Sequence, residues 1–288
     1  MEKRVLITGA NKGIGRATVS AVLAADRGTF VYLGSRDSDR GNAARETILR
    51  DHPELADRLS VVALDVSDDA SVQAARAAIG DVPLYGIVNN AGIGLGGEPM
   101  RRVLEVNTRG PRRVVEAFLP QLTAGGRIVN VSSASGPLFV SRCSVERRAL
   151  LTDPDVTWEA IETLLQECLA IAEAGGSFAA AGLGDGGAYG LSKACLNAYT
   201  IALARQHPSL IINACTPGFI ETDLTKPYRE GKSGAEMGMK PPAEGTRASL
   251  HLLLGDPGGS GWYFGSDAQR SPLDRYRSPG DPPYAGPS

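Results

Sequence analysis

The chain has 288 residues, 42% of them hydrophobic, and a formal net charge of −2 at pH 7. This length suits one large domain, and the small net charge gives no electrostatic reason to bind nucleic acid or an anionic membrane. No apolar run is long enough to cross a bilayer, and the start of the chain runs directly into a strand-like segment, so we expect no membrane span and no signal peptide and predict a cytoplasmic protein. The scattered cysteines and few histidines predict reduced thiols and no metal site; the cysteines are Cys143, Cys168, Cys195 and Cys215.

The first predicted unit is a buried strand, a glycine-rich turn and a helix. Residues 5–7 are apolar and β-prone, and residues 14–25 place alanine and leucine at helical spacing. The glycines of the turn are Gly9, Gly13 and Gly15. A helix that begins on glycines offers free N–H groups and the positive end of its dipole to a pyrophosphate. The spacing differs from the commoner Gly-x-Gly-x-x-Gly fingerprint, so the glycines alone also fit a plain turn.

The second predicted strand, residues 29–34, ends where dinucleotide-binding proteins distinguish NAD from NADP. A carboxylate at this place normally holds the ribose 2′-OH of adenosine. Ser35 stands there instead, Arg36 follows it, and Lys12 lies in the glycine loop. Two cations without an obvious acid favour NADP(H), whose 2′-phosphate they would contact. The alternatives are that both cations are ordinary surface charges and that Asp37 weakens the preference.

Two further units follow, each a helix and then a strand: residues 38–50 and 60–64, then 68–79 and 84–88. Asp65 closes the first of these strands, where it would accept a hydrogen bond from an adenine amino group; alternatively, Asp65 or Ser67 caps the next helix. The second strand ends in Asn89-Asn90-Ala91-Gly92. Small and amide residues suit a cofactor that crosses the strand ends, and they also suit a tight turn.

A helix over residues 99–122 carries Asn107, an amide in an otherwise apolar segment that needs a hydrogen-bond partner. The fifth strand, residues 126–131, runs into Ser132 and Ser133. A serine pair at this edge is either a turn or a place where a parallel sheet presents catalytic groups.

The alternation of strands and helices is interrupted over residues 134–187, which we interpret as an insertion with an amphipathic helix at 156–174. It resumes with a helix at 188–207, a strand at 210–214, Pro217-Gly218, a loop at 219–242, a helix at 242–254 and a strand at 261–264. The proline-rich tail, residues 266–288, is predicted to be extended or loosely ordered, with no chemistry assigned to it. The alternation predicts an α/β fold in which about seven strands form one doubly wound parallel sheet, within a single domain spanning residues 1–288.

Tyr189 and Lys193 are four residues apart in the 188–207 helix and therefore share a face. A free tyrosine has a pKa near ~10 and is a poor acid–base group at neutral pH. A lysine cation about 4–5 Å away favours the phenolate and is expected to lower that pKa by roughly 2 to 3. Ser133 would then hydrogen-bond the reacting oxygen, and Asn107 would hold a water that links Lys193 to solvent. The alternative is an ordinary surface pair.

Taken together, these motifs resemble the short-chain dehydrogenase/reductase superfamily. They occur in the family's order, as Thr8-Gly9-Ala10-Asn11-Lys12-Gly13-Ile14-Gly15, Asn89-Asn90-Ala91-Gly92, Asn107, Ser132-Ser133, Tyr189-Gly190-Leu191-Ser192-Lys193 and Pro217-Gly218. The resemblance covers residues 4–265 and implies a Rossmann-type fold that binds a nicotinamide dinucleotide. It implies that Tyr189 is the proton donor and that Lys193 lowers the pKa of Tyr189 and binds the nicotinamide ribose. It also implies that Ser133 polarises the carbonyl and that Asn107 completes the proton relay.

The cofactor contacts implied by the resemblance come from the glycine loop, the ends of the strands and the segment after Pro217. These residues are Gly9, Asn11, Lys12, Gly13, Ile14, Gly15, Arg36, Asp65, Val66, Asn89, Ala91, Gly92, Tyr189, Lys193, Pro217, Gly218, Ile220 and Thr222.

Within the superfamily, the glycine loop and the Gly-Ser-Arg-Asp after the second strand are most similar to the carbonyl reductase subgroup. A long insertion such as 134–187 is typical of its monomeric members, in which it covers the surface that other members use to oligomerise, so we expect a monomer. The implied activity is NADPH-dependent reduction of a ketone or aldehyde to an alcohol by hydride transfer. The alternatives are a biosynthetic ketoreductase or an NADP-dependent alcohol dehydrogenase of a specific metabolite, and a non-catalytic NADPH-binding sensor. Substrate contacts are expected from the insertion, the 219–242 loop, and Trp158 or Trp262.

Overall fold

A computed structural model describes residues 2–94 and 97–286; Met1 and the last two residues of the predicted tail, Pro287 and Ser288, lie outside the described residues. Within that part of the chain the strands are β1 (Lys3–Ile7), β2 (Thr29–Ser35), β3 (Leu59–Ala63), β4 (Leu84–Asn89), β5 (Leu122–Val131), β6 (Ile211–Cys215), β7 (Tyr263–Phe264) and β8 (Arg270–Ser271). They form one sheet in the order β3-β2-β1-β4-β5-β6-β7-β8. Neighbouring strands are parallel, except that β8 runs antiparallel to β7.

The α-helices of the described residues are α1 (Gly13–Ala25), α2 (Ser38–Asp51), α3 (Asp69–Ile79), α4 (Met100–Leu104), α5 (Gly110–Phe118), α6 (Ser135–Ser141), α7 (Val145–Thr152), α8 (Trp158–Glu173), α9 (Ala188–Gln206) and α10 (Arg247–Leu254). A π-helical turn covers Glu105–Arg109, and 3₁₀ turns cover Pro53–Arg58, Leu119–Gln121, Lys226–Arg229 and Glu244–Thr246. No helix in these ranges is both long and apolar enough to cross a membrane.

The predicted doubly wound parallel sheet is confirmed, with one strand more than the seven expected, because part of the tail pairs with β7 as β8. Both faces of the central strands are buried. In β1, Val5 and Ile7 pack with residues of α1 and α10, whereas Leu6 packs on the opposite face with residues of α3 and α5. This alternation follows from the two-residue period of a strand covered by helices on both sides.

The order of the strands places a crevice above β1. Because β1 lies between β2 and β4, successive connections leave it in opposite directions, and ligands of such sheets bind at the carboxyl ends of the strands at this point. Thr8, just after β1, joins the two sides of the crevice. Its Oγ1 accepts hydrogen bonds from the N–H groups of Asn90 and Ala91, both at 3.0 Å.

The insertion packs against the second half of the sheet. Its helix α8 is the one predicted at 156–174, whereas α6 and α7 are not predicted, because α6 contains glycine and proline and both helices are short. Trp158 of α8 meets Tyr199 of α9 edge to face, with ring centres 5.4 Å apart. The guanidinium of Arg112 in α5 lies 4.4 Å from the centre of the Trp158 ring. Trp158, at the start of α8, therefore contacts both α5 and α9.

Several predicted boundaries are wrong. The fifth strand, predicted at 126–131, begins at Leu122. The helix predicted at 99–122 is divided by the π turn, and its last residue begins β5. The helix predicted at 242–254 begins at Arg247, because a 3₁₀ turn takes up the preceding residues. Asp68, and neither Asp65 nor Ser67, caps α3, since its carboxylate accepts from the N–H of Ala70 at 3.0 Å.

Candidate active site

Ser133 and Tyr189 meet at the carboxyl edge of the sheet. Ser133 lies two residues after the end of β5, and Tyr189 lies in the first turn of α9. The Ser133 Oγ accepts from the N–H of Ser135 at 3.1 Å, and the side chains of Ser133 and Tyr189 line the same cavity. The two side chains expected to act on a carbonyl oxygen are thus neighbours.

Lys193 lies one turn further along α9, and only 3% of it is exposed. Its Nζ donates to the main-chain carbonyl of Val131 at 2.8 Å and lies 5.7 Å from the centre of the Tyr189 ring. Burial lowers the pKa of Lys193 to about 8, because the ammonium loses contact with water. The shared helix face predicted for this lysine and Tyr189 is therefore present.

The acidity of Tyr189 differs from the prediction. Burial raises the pKa of Tyr189 to about 12, and the interaction with Ser133 acts in the opposite direction. The predicted lowering by Lys193 is wrong for this geometry, since the ammonium is turned toward the carbonyl of Val131. The phenol is consequently protonated at neutral pH, which is the form that a proton donor needs.

Asn107 lies inside the π-helical turn and is fully buried. Its Oδ1 accepts from the N–H of Ile93 at 2.9 Å, and its Nδ2 donates to the Ile93 carbonyl at 2.8 Å and to the Ser192 Oγ at 3.0 Å. The amide thus finds the partners that the sequence required, and it fixes the segment after β4 against α9. Single π turns inside α-helices frequently mark functional sites.

The glycine loop fits a bound pyrophosphate. The first turn of α1 carries no acidic residue, and Lys12 at its N-cap makes no side-chain capping bond, so no side chain of this turn competes with an anion for its N–H groups. Gly9 has φ +61°, and a Cβ there would lie 2.8 Å from the Cα of Ala91. A Cβ on Gly15 would lie 2.4 Å from the Asn90 Nδ2. These two glycines allow the loop to pack on the segment after β4; Asn11, Gly13 and Ile14 complete the turn.

Lys12 of the glycine loop forms an ion pair with Asp223. Its Nζ lies 2.8 Å from the Asp223 Oδ2, and the other carboxylate oxygen of Asp223 pairs with Lys226. The two lysines lower the pKa of Asp223 to about 2. The loop after β6 is thereby joined to the glycine loop by an exposed ion pair.

An exposed arginine follows the end of β2, and the acid after it already has partners. Arg36 is exposed and has no hydrogen bond or ion pair with the described residues, those of 2–94 and 97–286. Asp37 caps α2 by accepting from the N–H of Arg40 at 3.0 Å, and it pairs with the Arg40 guanidinium at 3.2 Å. The Ser35 hydroxyl donates to the Asp37 carbonyl at 2.7 Å. This edge fits a phosphate better than a ribose hydroxyl that must donate to a carboxylate.

Asp65 and Val66 follow β3 at the same edge. Burial raises the pKa of Asp65, but hydrogen bonds from Ser67 and the charges of Arg102 and Arg36 outweigh this and lower it below its ordinary value. The Ser67 Oγ donates to the Asp65 Oδ1 at 2.6 Å. Val66 is buried, so its side chain belongs to the core.

Asn89 lies in the interior and not on the groove surface. Only 2% of it is exposed, and its Nδ2 donates to the Asn130 Oδ1 at 2.9 Å. Ala91 packs beneath Gly9, and a Cβ on Gly92 would lie 3.4 Å from the Asn107 Oδ1 and 3.6 Å from the Lys193 Nζ. The segment after β4 therefore connects the glycine loop with the Tyr189 region.

A cavity of about 310 Å³ opens beside Tyr189 and Ser133. Besides Tyr189, the predicted cofactor residues that line it are Ile14, Pro217, Gly218, Ile220 and Thr222. The cavity is not lined by Arg36, Asp65, Val66 or Asn89. These residues lie elsewhere along the carboxyl ends of the strands. No cluster of three or more His, Cys, Asp or Glu side chains in the described ranges is arranged to hold a metal ion.

The tail lines this cavity, which the sequence did not indicate. Arg275, Tyr276, Arg277 and Pro279 all contribute to its wall. A tyrosine between two arginines in an otherwise proline-rich segment is the one local signal that sets these residues apart. The expectation for the tryptophans is wrong, since neither belongs to the lining. Trp158 packs between helices, and Trp262 stacks on Arg270, whose guanidinium carbon lies 3.9 Å from the ring centre.

Comparison with known proteins agrees with this arrangement. The family model described as short chain dehydrogenase matches residues 3–145. The chain is 32% identical to (+)-neomenthol dehydrogenase of Arabidopsis thaliana over 90% of this chain and 94% of that protein. It is 30% identical to carbonyl reductase [NADPH] 1 of Rattus norvegicus, over 89% of this chain and 92% of that protein. The solved structure of menthone neomenthol reductase from Mentha piperita superposes with a TM-score of 0.76 at 29% identity, covering 92% of this chain and 99% of that one.

Proposed function

Because the chain belongs to the short-chain dehydrogenase/reductase family, with carbonyl reductases among its relatives, we propose that it reduces a ketone or aldehyde to an alcohol with NADPH. The observation that carries the proposal is that Ser133 and Tyr189 line one cavity, with Lys193 one turn further along α9 and its Nζ 5.7 Å from the centre of the Tyr189 ring. Relatives named as carbonyl reductase and neomenthol dehydrogenase support a carbonyl and alcohol couple as the chemistry.

In this proposal each side chain has a separate task. Tyr189 gives its proton to the carbonyl oxygen, and the Ser133 hydroxyl donates a hydrogen bond to the same oxygen. Lys193 donates to a ribose hydroxyl of the cofactor and replaces the lost proton through a water held near Asn107. A bound NADPH supplies the hydride to the carbonyl carbon. General acid assistance of this kind accelerates a reaction by roughly 10²–10⁴-fold.

The choice of NADPH over NADH rests on Arg36 and Lys12. Arg36→Ala is expected to raise the Michaelis constant for NADPH by about tenfold, because it removes a charged hydrogen bond to the 2′-phosphate. The constant for NADH should be almost unchanged, and Arg40→Ala, which removes a guanidinium already paired with Asp37, should alter neither. Steady-state kinetics with both cofactors make this measurement, and an equal effect on the two would argue against 2′-phosphate recognition.

The activity itself is tested by fluorescence titration with NADPH, followed by a screen of aldehydes, ketones and quinones for loss of NADPH absorbance. Turnover of a free carbonyl compound supports the proposal. Efficient oxidation of an alcohol with NADP⁺, without carbonyl reduction, would favour the alcohol dehydrogenase. NADPH binding without any turnover would favour a sensor. The presence of all three predicted catalytic side chains, Tyr189, Lys193 and Ser133, argues against that function.

We also propose that the protein is a monomer. The insertion packs on this side of the molecule: Trp158 of α8 contacts α5 and α9, and Arg109 of the π turn pairs with Glu162 of α8 at 2.6 Å. A surface closed in this way is not available to a second copy. Light scattering should give a mass near 30.1 kDa, and a tetramer would contradict the proposal.

A further inference from the structure

Exposed apolar side chains collect around one cavity. Among the described residues, the large hydrophobic side chains with substantial exposure are Leu138, Val145, Phe219, Tyr228 and Tyr276. Four of these five line the cavity beside Tyr189, and only Val145 lies elsewhere. These four exposed apolar side chains of the described residues therefore form a patch at this opening. Such a patch indicates a surface that an apolar ligand covers.

The four side chains come from three separate segments. Leu138 is part of α6, Phe219 and Tyr228 belong to the loop after β6, and Tyr276 belongs to the tail. The rings of Phe219 and Tyr228 meet edge to face, with centres 6.2 Å apart. The cavity thus has aromatic side chains on two sides and an aliphatic side chain on a third. This lining suits a ligand with a ring system better than one with a thin linear chain.

The tail holds Tyr276 firmly at this rim. The next residue, Arg277, is buried, and its guanidinium pairs with Asp267. Arg277 also donates to the Ser271 Oγ at 2.9 Å and to the Asp281 carbonyl at 2.6 Å. A residue fixed by its buried neighbour loses little conformational freedom when a ligand packs on it.

Both cations of the lining, among the residues that the structure describes, already have an acidic partner. The only ionisable side chains of lysine, arginine, aspartate or glutamate in it are Arg275 and Arg277. Arg277 is neutralised by Asp267, and Arg275 pairs with Asp274 at 3.1 Å. An anionic group of a substrate would therefore have to compete with Asp267 or Asp274 for a cation.

We infer that Tyr276 is a specificity-determining residue, and that the substrate is a neutral, apolar carbonyl compound whose ring system packs against Leu138, Phe219, Tyr228 and Tyr276. This inference rests on the proposed function for the identity of the reacting group. To that function the inference adds the size, shape and charge of the rest of the substrate.

The test compares kcat and KM for three probes: a tert-butyl-substituted cyclohexanone, a cyclohexanone carrying a carboxylate, and propanal. Tyr276→Ala should lower kcat/KM for the neutral ring ketone about tenfold, mainly through KM, and leave propanal unchanged. Tyr276→Phe should retain the wild-type value, because it keeps the ring. Val145→Ala, which trims an exposed apolar side chain outside the cavity, should alter neither. The anionic ketone should be the poorest ring substrate of the wild type.

Equal losses on propanal and the ring ketone, no loss in Tyr276→Ala, or a preference for the anionic ketone would overturn the inference. If the wild type reduces neither the probes nor any compound of the wider carbonyl screen, the proposed function fails, and calorimetry with tert-butylcyclohexanol then decides the inference alone. Binding to the wild type that weakens about tenfold in Tyr276→Ala supports it. Absence of binding, or equal binding to both proteins, overturns it.

Discussion

Tyr189→Phe is expected to lower kcat by roughly 10²–10⁴-fold, because it removes the hydroxyl that delivers a proton to the carbonyl oxygen. The ring remains in the first turn of α9, so the fold and the affinity for NADPH should change little. Stopped-flow measurement of NADPH oxidation gives kcat, and fluorescence titration gives the dissociation constant of the cofactor.

The matched control is Tyr199→Phe, which removes a hydroxyl from a buried tyrosine in the same helix, away from the cavity. It should retain nearly full activity. Near-normal turnover in Tyr189→Phe would refute the assignment of the proton donor. A large loss of NADPH affinity in the same variant would mean that the phenol acts on the cofactor and not on the substrate.

Arg277→Met should reduce the free energy of unfolding by about 3 kcal/mol, since removing one partner of a buried ion pair leaves the other charge uncompensated. The side chains of Arg277 and Asp267 are only 6% and 14% exposed. Urea denaturation measures the difference. Arg275→Met, which breaks an exposed pair with Asp274 two residues away, should cost less than about 1 kcal/mol. Similar small losses in both variants would show that the tail is not anchored at Arg277.

The same pair has a defined pH dependence. Burial raises the pKa of Asp267, but the hydrogen bond and charge of Arg277 and two backbone N–H groups outweigh it and lower the pKa. A carboxyl whose pKa is lowered by folding stabilises the protein fully at pH values above its pKa in the unfolded chain, near ~3.9. This stabilisation is lost as the pH falls through the pKa of the carboxyl in the folded protein. The difference between wild type and Arg277→Met should therefore be largest at neutral pH and shrink below pH ~4.

The sheet and its edge were predictable because their signals are local. A run such as Val5-Leu6-Ile7, which follows charged residues and precedes a glycine-rich turn, favours a strand buried on both faces. The amide of Asn107 is unfavourable in a helix, and it correctly predicted that this side chain needs hydrogen-bond partners. These features depend on residues within a few positions of one another.

The remaining features depend on contacts between distant parts of the chain. Lys12 pairs with Asp223, 211 positions away, and no spacing rule connects them. The pKa of Tyr189 depends on its burial and on where the Lys193 ammonium finds an acceptor, here the carbonyl of Val131. The tail joins the cavity through the Arg277–Asp267 pair, whereas its composition alone indicated an extended segment.

The most direct test of carbonyl reduction at this site uses NADPH labelled with deuterium on the transferred position of its nicotinamide C4. Incubation with a ketone substrate should give an alcohol that carries one deuterium on the former carbonyl carbon, as read by mass spectrometry, and Tyr189→Phe should form almost none in the same time. An alcohol without deuterium, or equal labelling in wild type and Tyr189→Phe, would contradict the account.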